Sequence, residues 1–116
     1  MQKIFQQVED MEAVPTVHGE GTKRIFATSH ETQTSVTQFA YGKLEQGEKI
    51  APHRHAGMEE FFYFTGGSGE FIIDNKSFSV REGSFIRVPA LAQHELQTNG
   101  SEGLQFVYFG AAVIDN

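Results

Sequence analysis

The sequence predicts an all-β fold, a small antiparallel barrel or sandwich, from three observations. The apolar runs are short and rich in β-formers, with eleven phenylalanines and no tryptophan in 116 residues. Twelve glycines recur between those runs, where a reversing chain needs backbone freedom. Long stretches with the 3.6-residue apolar period of a helix are missing.

The elements follow in order. Residues 1–14 carry Ile4, Phe5, Val8 and Met11 among glutamines and acids, which fits a short helical turn or an edge strand ended by Pro15. Residues 17–21 read as a loop and 22–27 as a strand. His18 and His30 fall in polar, loop-like surroundings and read as surface histidines. Residues 34–44 form the next strand, 45–48 a turn, and 50–55 a strand that carries two histidines. Residues 60–65 are apolar on alternate and intervening positions alike, so both faces of that strand need cover. Gly66-Gly67-Ser68-Gly69 reads as a sharp turn, and Asp74-Asn75-Lys76 as a hairpin turn between 70–74 and 77–80. Strands over 85–88, 94–98 and 104–109 complete about nine or ten.

The chain as a whole sets bounds on function. Its length suits a single domain over 1–116, large enough to bury roughly two-thirds of its unfolded surface. There is no cysteine, which excludes disulfides and thiolate metal sites and agrees with a reducing compartment. The net charge is −6, from nine Lys plus Arg against fifteen Asp plus Glu. That balance lacks the basic field of a nucleic-acid binder. No signal-peptide pattern opens the sequence, and no apolar run reaches membrane-spanning length. The expectation is a soluble, cytoplasmic protein without nucleic-acid or membrane partners.

The chemistry concentrates in Pro52-His53-Arg54-His55-Ala56-Gly57-Met58-Glu59-Glu60. Residues i and i+2 of a strand share a face, so His53 and His55 project together. Two neutral imidazoles with a nearby carboxylate make a partial coordination sphere for a divalent transition metal. The Ala-Gly-Met link allows the chain to bend, so that Glu59 or Glu60 points back. His94 is the best remaining candidate for a fourth ligand. Alone, the histidine pair equally suits a solvent-facing or sheet-bonded polar pair.

Two glycine-led stretches extend the pattern. Gly47, His53, His55, Glu60 and Gly67 stand with five, one, four and six residues between them. Gly83, Pro89 and His94 follow, with five and four residues between them. These stretches (47–67 and 83–98) resemble the two conserved motifs of the cupin superfamily, at the short spacing of compact single-domain bacterial members. Two positions depart from that pattern: Leu91 stands where a glycine is usual, and Thr98 where an asparagine is usual.

The resemblance implies a jelly-roll β-barrel of double-stranded β-helix type and a metal site made of His53, His55, Glu60 and His94. Glu60 is preferred to Glu59 because it keeps the six-residue spacing to Gly67, and Phe62 and Phe64 then form an apolar inward floor. Iron, manganese, nickel, cobalt and zinc all accept such a sphere, with ligand lengths of about 2.0–2.2 Å. Histidine ligands must be neutral, so metal affinity is expected to fall below about pH 6.5.

The implied function is metal-dependent chemistry, of dioxygenase or isomerase type, on a small organic acid, diol or sugar-like molecule. A non-catalytic ligand-binding or sensing module is the alternative. Gln38, Tyr41, Arg87 and Gln93 read as surface or structural residues, and Arg54 and Glu95 should point outward. The doubly apolar strand and the apolar last strand suggest a homodimer.

Overall fold

Nine antiparallel strands and two 3₁₀ turns make up the regular structure of residues 3–114, the part of the chain described by the computed structural model. The strands are β1 (Val14–Pro15), β2 (Thr22–Thr28), β3 (Val36–Leu44), β4 (Lys49–His53) and β5 (Met58–Ile73). They continue as β6 (Lys76–Arg81), β7 (Phe85–Val88), β8 (His94–Thr98) and β9 (Leu104–Ala112). Their neighbour order is β1-β2-β3-β9-β5-β8-β4, with β6 and β7 also paired to β5. The sheet curls on itself as an antiparallel double-stranded β-helix, the barrel that the sequence predicts. Near the N-terminus the structure has a 3₁₀ turn at Val8–Asp10, and the short edge strand β1 begins only at Val14 and takes in Pro15 rather than ending before it.

One expectation is corrected. The turn expected at Gly66–Gly69 does not reverse the chain, because β5 runs through it as a single strand of 16 residues. Its first half pairs with β7 and β9, and its second half with β6 and β8. The glycines serve close approach instead. A β-bulge falls between Phe64 and Gly66, Gly67 has φ +79, and a Cβ there would collide with the Gly103 carbonyl. Elsewhere the turn chemistry is as expected. Asp74 and Asn75 have φ +48 and +70, the two left-handed residues of a type I′ hairpin.

Alternation along the strands fills the interior. Leu44, Phe64, Phe71, Leu104 and Phe106 are the largest fully buried side chains, and Phe62 packs edge-on against Phe71 with ring centroids 5.0 Å apart. The outward face of β5 is covered differently. Phe61 stacks on Phe109 (4.9 Å), Phe109 lies against Phe39 (5.4 Å), and Phe39 meets Phe26 edge-on (5.6 Å). This aromatic row lies on the barrel's outside, where neighbouring strands shield one another partially.

Candidate metal centre

Pairing of β4 with β8 sets His53 directly opposite His94. Strand alternation places His53 but not His55, which lies two residues beyond the end of β4. A loop brings His55 back, tied by the Leu91 N–H, which donates to the His55 carbonyl at 2.8 Å. Glu60 enters from β5, facing inward, only 8% exposed. Glu59 faces outward and pairs with Arg87 at 2.9 Å, so Glu60 is the one of the two carboxylates that faces the histidines.

His53, His55, Glu60 and His94 each offer one donor atom, and these atoms all lie within 4.8 Å of one another. Glu60 Oε1 is 3.1 Å from His94 Nε2 and 3.5 Å from His55 Nε2. His53 Nδ1 donates to the Ala51 carbonyl at 2.8 Å, and His94 Nδ1 donates to the Ala92 carbonyl at 3.0 Å. Both bonds fix the tautomer and leave the Nε2 lone pair for a cation.

The surroundings of His94 test whether a metal fits. Its ring is 3% exposed and has an acceptor at each nitrogen. With Nδ1 donating to the Ala92 carbonyl, Nε2 stands 3.1 Å from the Glu60 carboxylate, a contact that a proton or a metal cation held between them would satisfy. Ligands of about 2.0–2.2 Å on opposite sides of one ion stand about 4.0–4.4 Å apart, so donors lying within 4.8 Å of one another need a shift of about half an ångström to close on it. The residues present therefore fit a metal ion.

Burial also favours the ligand state of the histidines. Desolvation pushes the His53 imidazole down to about 4, against the weaker upward pull of its Ala51 hydrogen bond. His55 is likewise lowered by desolvation, opposed by the Glu60 charge. Neutral rings are what coordination requires.

A cavity of about 320 Å³ opens beside the cluster, walled by Phe62, Phe71, Phe106, Ile50 and Leu96. Phe62 and Phe64 face inward as predicted, with Phe62 on the cavity wall and Phe64 beneath it. Tyr108 also lines the cavity, stacked on Phe62 at 5.2 Å, and its burial raises the phenol pKa and keeps the hydroxyl protonated.

Three placements differ from the sequence reading. His18 is exposed, as expected, yet it belongs to the site: its ring stacks on His53 with centroids 4.2 Å apart and lies 5.6 Å from His55. An isolated bridge between Gly19 and Ile50 holds it there, and a Cβ on Gly19 would sit 2.7 Å from the Ile50 Cα. That glycine, next to a histidine, was the one local signal. Gln38 lines the cavity, whereas Arg87 and Gln93 are exposed as expected and Tyr41 is absent from the cavity wall. Arg54 points outward, but Glu95 is half-buried and borders the cavity. His30 lies in an exposed 3₁₀ turn away from the site.

The two motif departures have structural consequences. Leu91 adopts φ +70, the left-handed backbone that suits the usual glycine and costs a non-glycine residue about 1 kcal/mol. Its side chain is 58% exposed. Thr98 latches the motifs together: its Oγ1 accepts from the Gly47 N–H at 2.8 Å and donates to the Glu48 carbonyl at 3.3 Å.

A small antiparallel barrel with three histidines and a glutamate gathered beside its internal cavity defines a class: a β-barrel with a cluster able to hold a metal ion. The cupin domain model matches residues 40–110, and the chain belongs to that family. It is 31% identical over 61 residues to an uncharacterized protein of Methanocaldococcus jannaschii, covering 53% of this chain and 49% of that protein. It is 31% identical over 65 residues to protein SchB of Streptomyces halstedii, covering 56% and 47% respectively. The chain thus spans about half the length of the relatives it matches.

Many solved structures share its fold, among them the following two. A predicted oxalate decarboxylase from Thermotoga maritima superposes with a TM-score of 0.86 at 19% identity, over 95% of this chain and 100% of that one. The polyketide cyclase RemF from Streptomyces resistomycificus gives 0.78 at 18% identity, over 100% and 88%.

Proposed function

We propose that this chain, as one domain over residues 1–116, binds a divalent transition metal through His53, His55, Glu60 and His94 and uses it on a small organic molecule held in the adjoining cavity. The observation that carries this reading is the convergence of four donor atoms, three imidazole nitrogens and one carboxylate oxygen, within 4.8 Å of one another beside the cavity. When bound, the metal would supply Lewis acidity, together with redox capacity if it is iron. The four side chains would hold it, the phenylalanine wall would exclude water, and Tyr108 would offer a protonated hydroxyl.

The proposed reaction is of dioxygenase or isomerase type, on an organic acid, diol or sugar-like molecule. The fold neighbours include a predicted oxalate decarboxylase and a polyketide cyclase, which supports a small-molecule site without selecting a reaction. The absence of cysteine suits a cytoplasmic setting. The outer aromatic row of Phe26, Phe39, Phe61 and Phe109 supports a homodimer, which sedimentation would test.

The deciding experiment measures metal content and calorimetric metal affinity on protein purified without chelators. Equimolar metal should bind and be lost as acid protonates the histidines, with the His53 contribution persisting below pH 6.5 because that ring is pushed down to about 4. Failure to bind any of the five candidate metals would overturn the reading. Oxygen uptake over catechols, diketones and keto-acids, alongside an isomerisation assay, then separates the reaction types. Ligand binding without turnover in either would indicate a sensing module.

A further inference from the structure

The cavity contains one cation that the metal reading does not use. Lys23 lines it from β2, facing Gly42 across the β2–β3 pair. Its side chain runs along the inner face to Gln38, where Nζ donates to Oε1 at 3.0 Å. The path is open because the inner-face residues of β3 between them, Gly42 and Ala40, are small. No carboxylate of a described residue lies within ion-pair distance of this ammonium. A half-buried ammonium with only a neutral amide for company is costly unless an anion completes it. Burial does pull the Lys23 pKa down, with the Glu60 charge opposing.

Register places this cation relative to the metal cluster. Gln38 pairs with Gly110 on β9, and Gly110 pairs with Glu60 on β5. Directly opposed residues in antiparallel strands share a face, so Gln38, Gly110 and Glu60 form one inward row. Two strand spacings, about 10 Å, separate its ends. The middle of the row carries no side chain, and a Cβ at Gly110 would run into Thr37 Oγ1 and Met58 Sδ. The row thus has the candidate metal cluster at one end and the Lys23–Gln38 pair at the other, with Thr37 and Met58 packed over its middle, and both ends line the same cavity.

Charge points the same way. A divalent ion with three neutral imidazoles and one carboxylate has a net charge of +1; Lys23 adds a second positive charge, and Glu95 at the cavity border offsets one of the two. The cavity is therefore cationic inside a protein of net charge −6, and apolar walls strengthen that field.

We propose that Lys23, oriented by Gln38, anchors a carboxylate of the cavity's ligand, so that the molecule held at the cluster is a short-chain organic acid with an anionic group distal to its metal-chelating oxygens. This rests on the reading of the four-residue cluster as a metal site. Lys23 is a specificity-determining residue in this scheme, and the metal ligands are untouched by its replacement.

The test compares 2-hydroxyglutarate with 2-hydroxypentanoate, which has the same carbon count and chelating end but lacks the distal carboxylate. Calorimetry on Mn(II)-loaded protein should show the diacid binding about 10- to 100-fold more tightly. Lys23→Met should abolish that preference, and Lys23→Arg should retain part of it, with Mn(II) affinity unchanged in both. Equal affinities in the wild type, or a preference that survives Lys23→Met, would overturn the proposal. Metal titration of the same samples keeps the two readings apart. If Mn(II) does not bind, the metal reading fails, and glutarate on metal-free protein decides the Lys23 contact. A thermal shift lost in Lys23→Met keeps the contact, and no Lys23-dependent shift refutes it.

Discussion

The two faces of the first half of β5 carry nearly the same chemistry and have opposite fates. Inward stand Glu60, Phe62 and Phe64; outward stand Glu59, Phe61 and Tyr63. Each face presents a carboxylate followed by two aromatic rings. The inner carboxylate meets His55 and His94, and the outer one meets Arg87 in solvent. Phe64 is fully buried, whereas Tyr63 is 48% exposed. Residue type alone does not separate a candidate ligand from a surface ion pair; strand phase and the groups across the pairing do.

The largest break between the faces should come from truncating the rings. Phe64→Ala removes a fully enclosed side chain and should cost about 3–5 kcal/mol in denaturant unfolding, while Tyr63→Ala should fall below about 1 kcal/mol. Similar losses at both positions would mean that the outer face is also buried, as a subunit interface would make it.

The carboxylates provide a sharper contrast. Glu60→Gln should weaken metal binding at least about 100-fold, or roughly 2.8 kcal/mol. Glu59→Gln should leave metal affinity intact and forfeit only a surface pair worth about 0–1 kcal/mol. A loss from Glu59→Gln matching that from Glu60→Gln would refute the assignment of faces.

The smallest effect concerns protons in the metal-free protein. The folded-state His53 pKa is about 4, depressed by desolvation below the unfolded value. The unfolded chain therefore binds the extra proton between about pH 6.5 and 4, and stability should decline as pH falls through that window. Thermal unfolding of the wild type should thus lose more between pH 7 and 4 than that of His53→Gln. Equal slopes would remove the inward histidine from the account. Glu59→Gln should leave the wild-type slope unchanged.

The contrast also explains what the sequence discloses. His53, Glu60 and His94 were readable because their places follow from strand phase and from two motif spacings that constrain each other. Phe62 and Phe64 followed from the same phase. β5 was misread because a glycine used for close approach and a glycine used for reversal look identical locally; only the Gly103 carbonyl, 36 residues away from Gly67, tells them apart. His18 was missed because its position depends on a bridge from Gly19 to Ile50. Gln38 lies just past a register shift on β3, and Lys23 just before one on β2. Extrapolating alternation across such irregularities fails at that point.

The unbroken course of β5 has a mechanical implication. The same segment supplies the hydrogen-bonding partner for β7 and β9 at one end and for β6 and β8 at the other. Neither half of the barrel can therefore melt without loosening the spine it shares with the other. Backbone amides along that spine should resist solvent exchange as one cooperative unit, holding Glu60 in place even while the loop bearing His55 breathes.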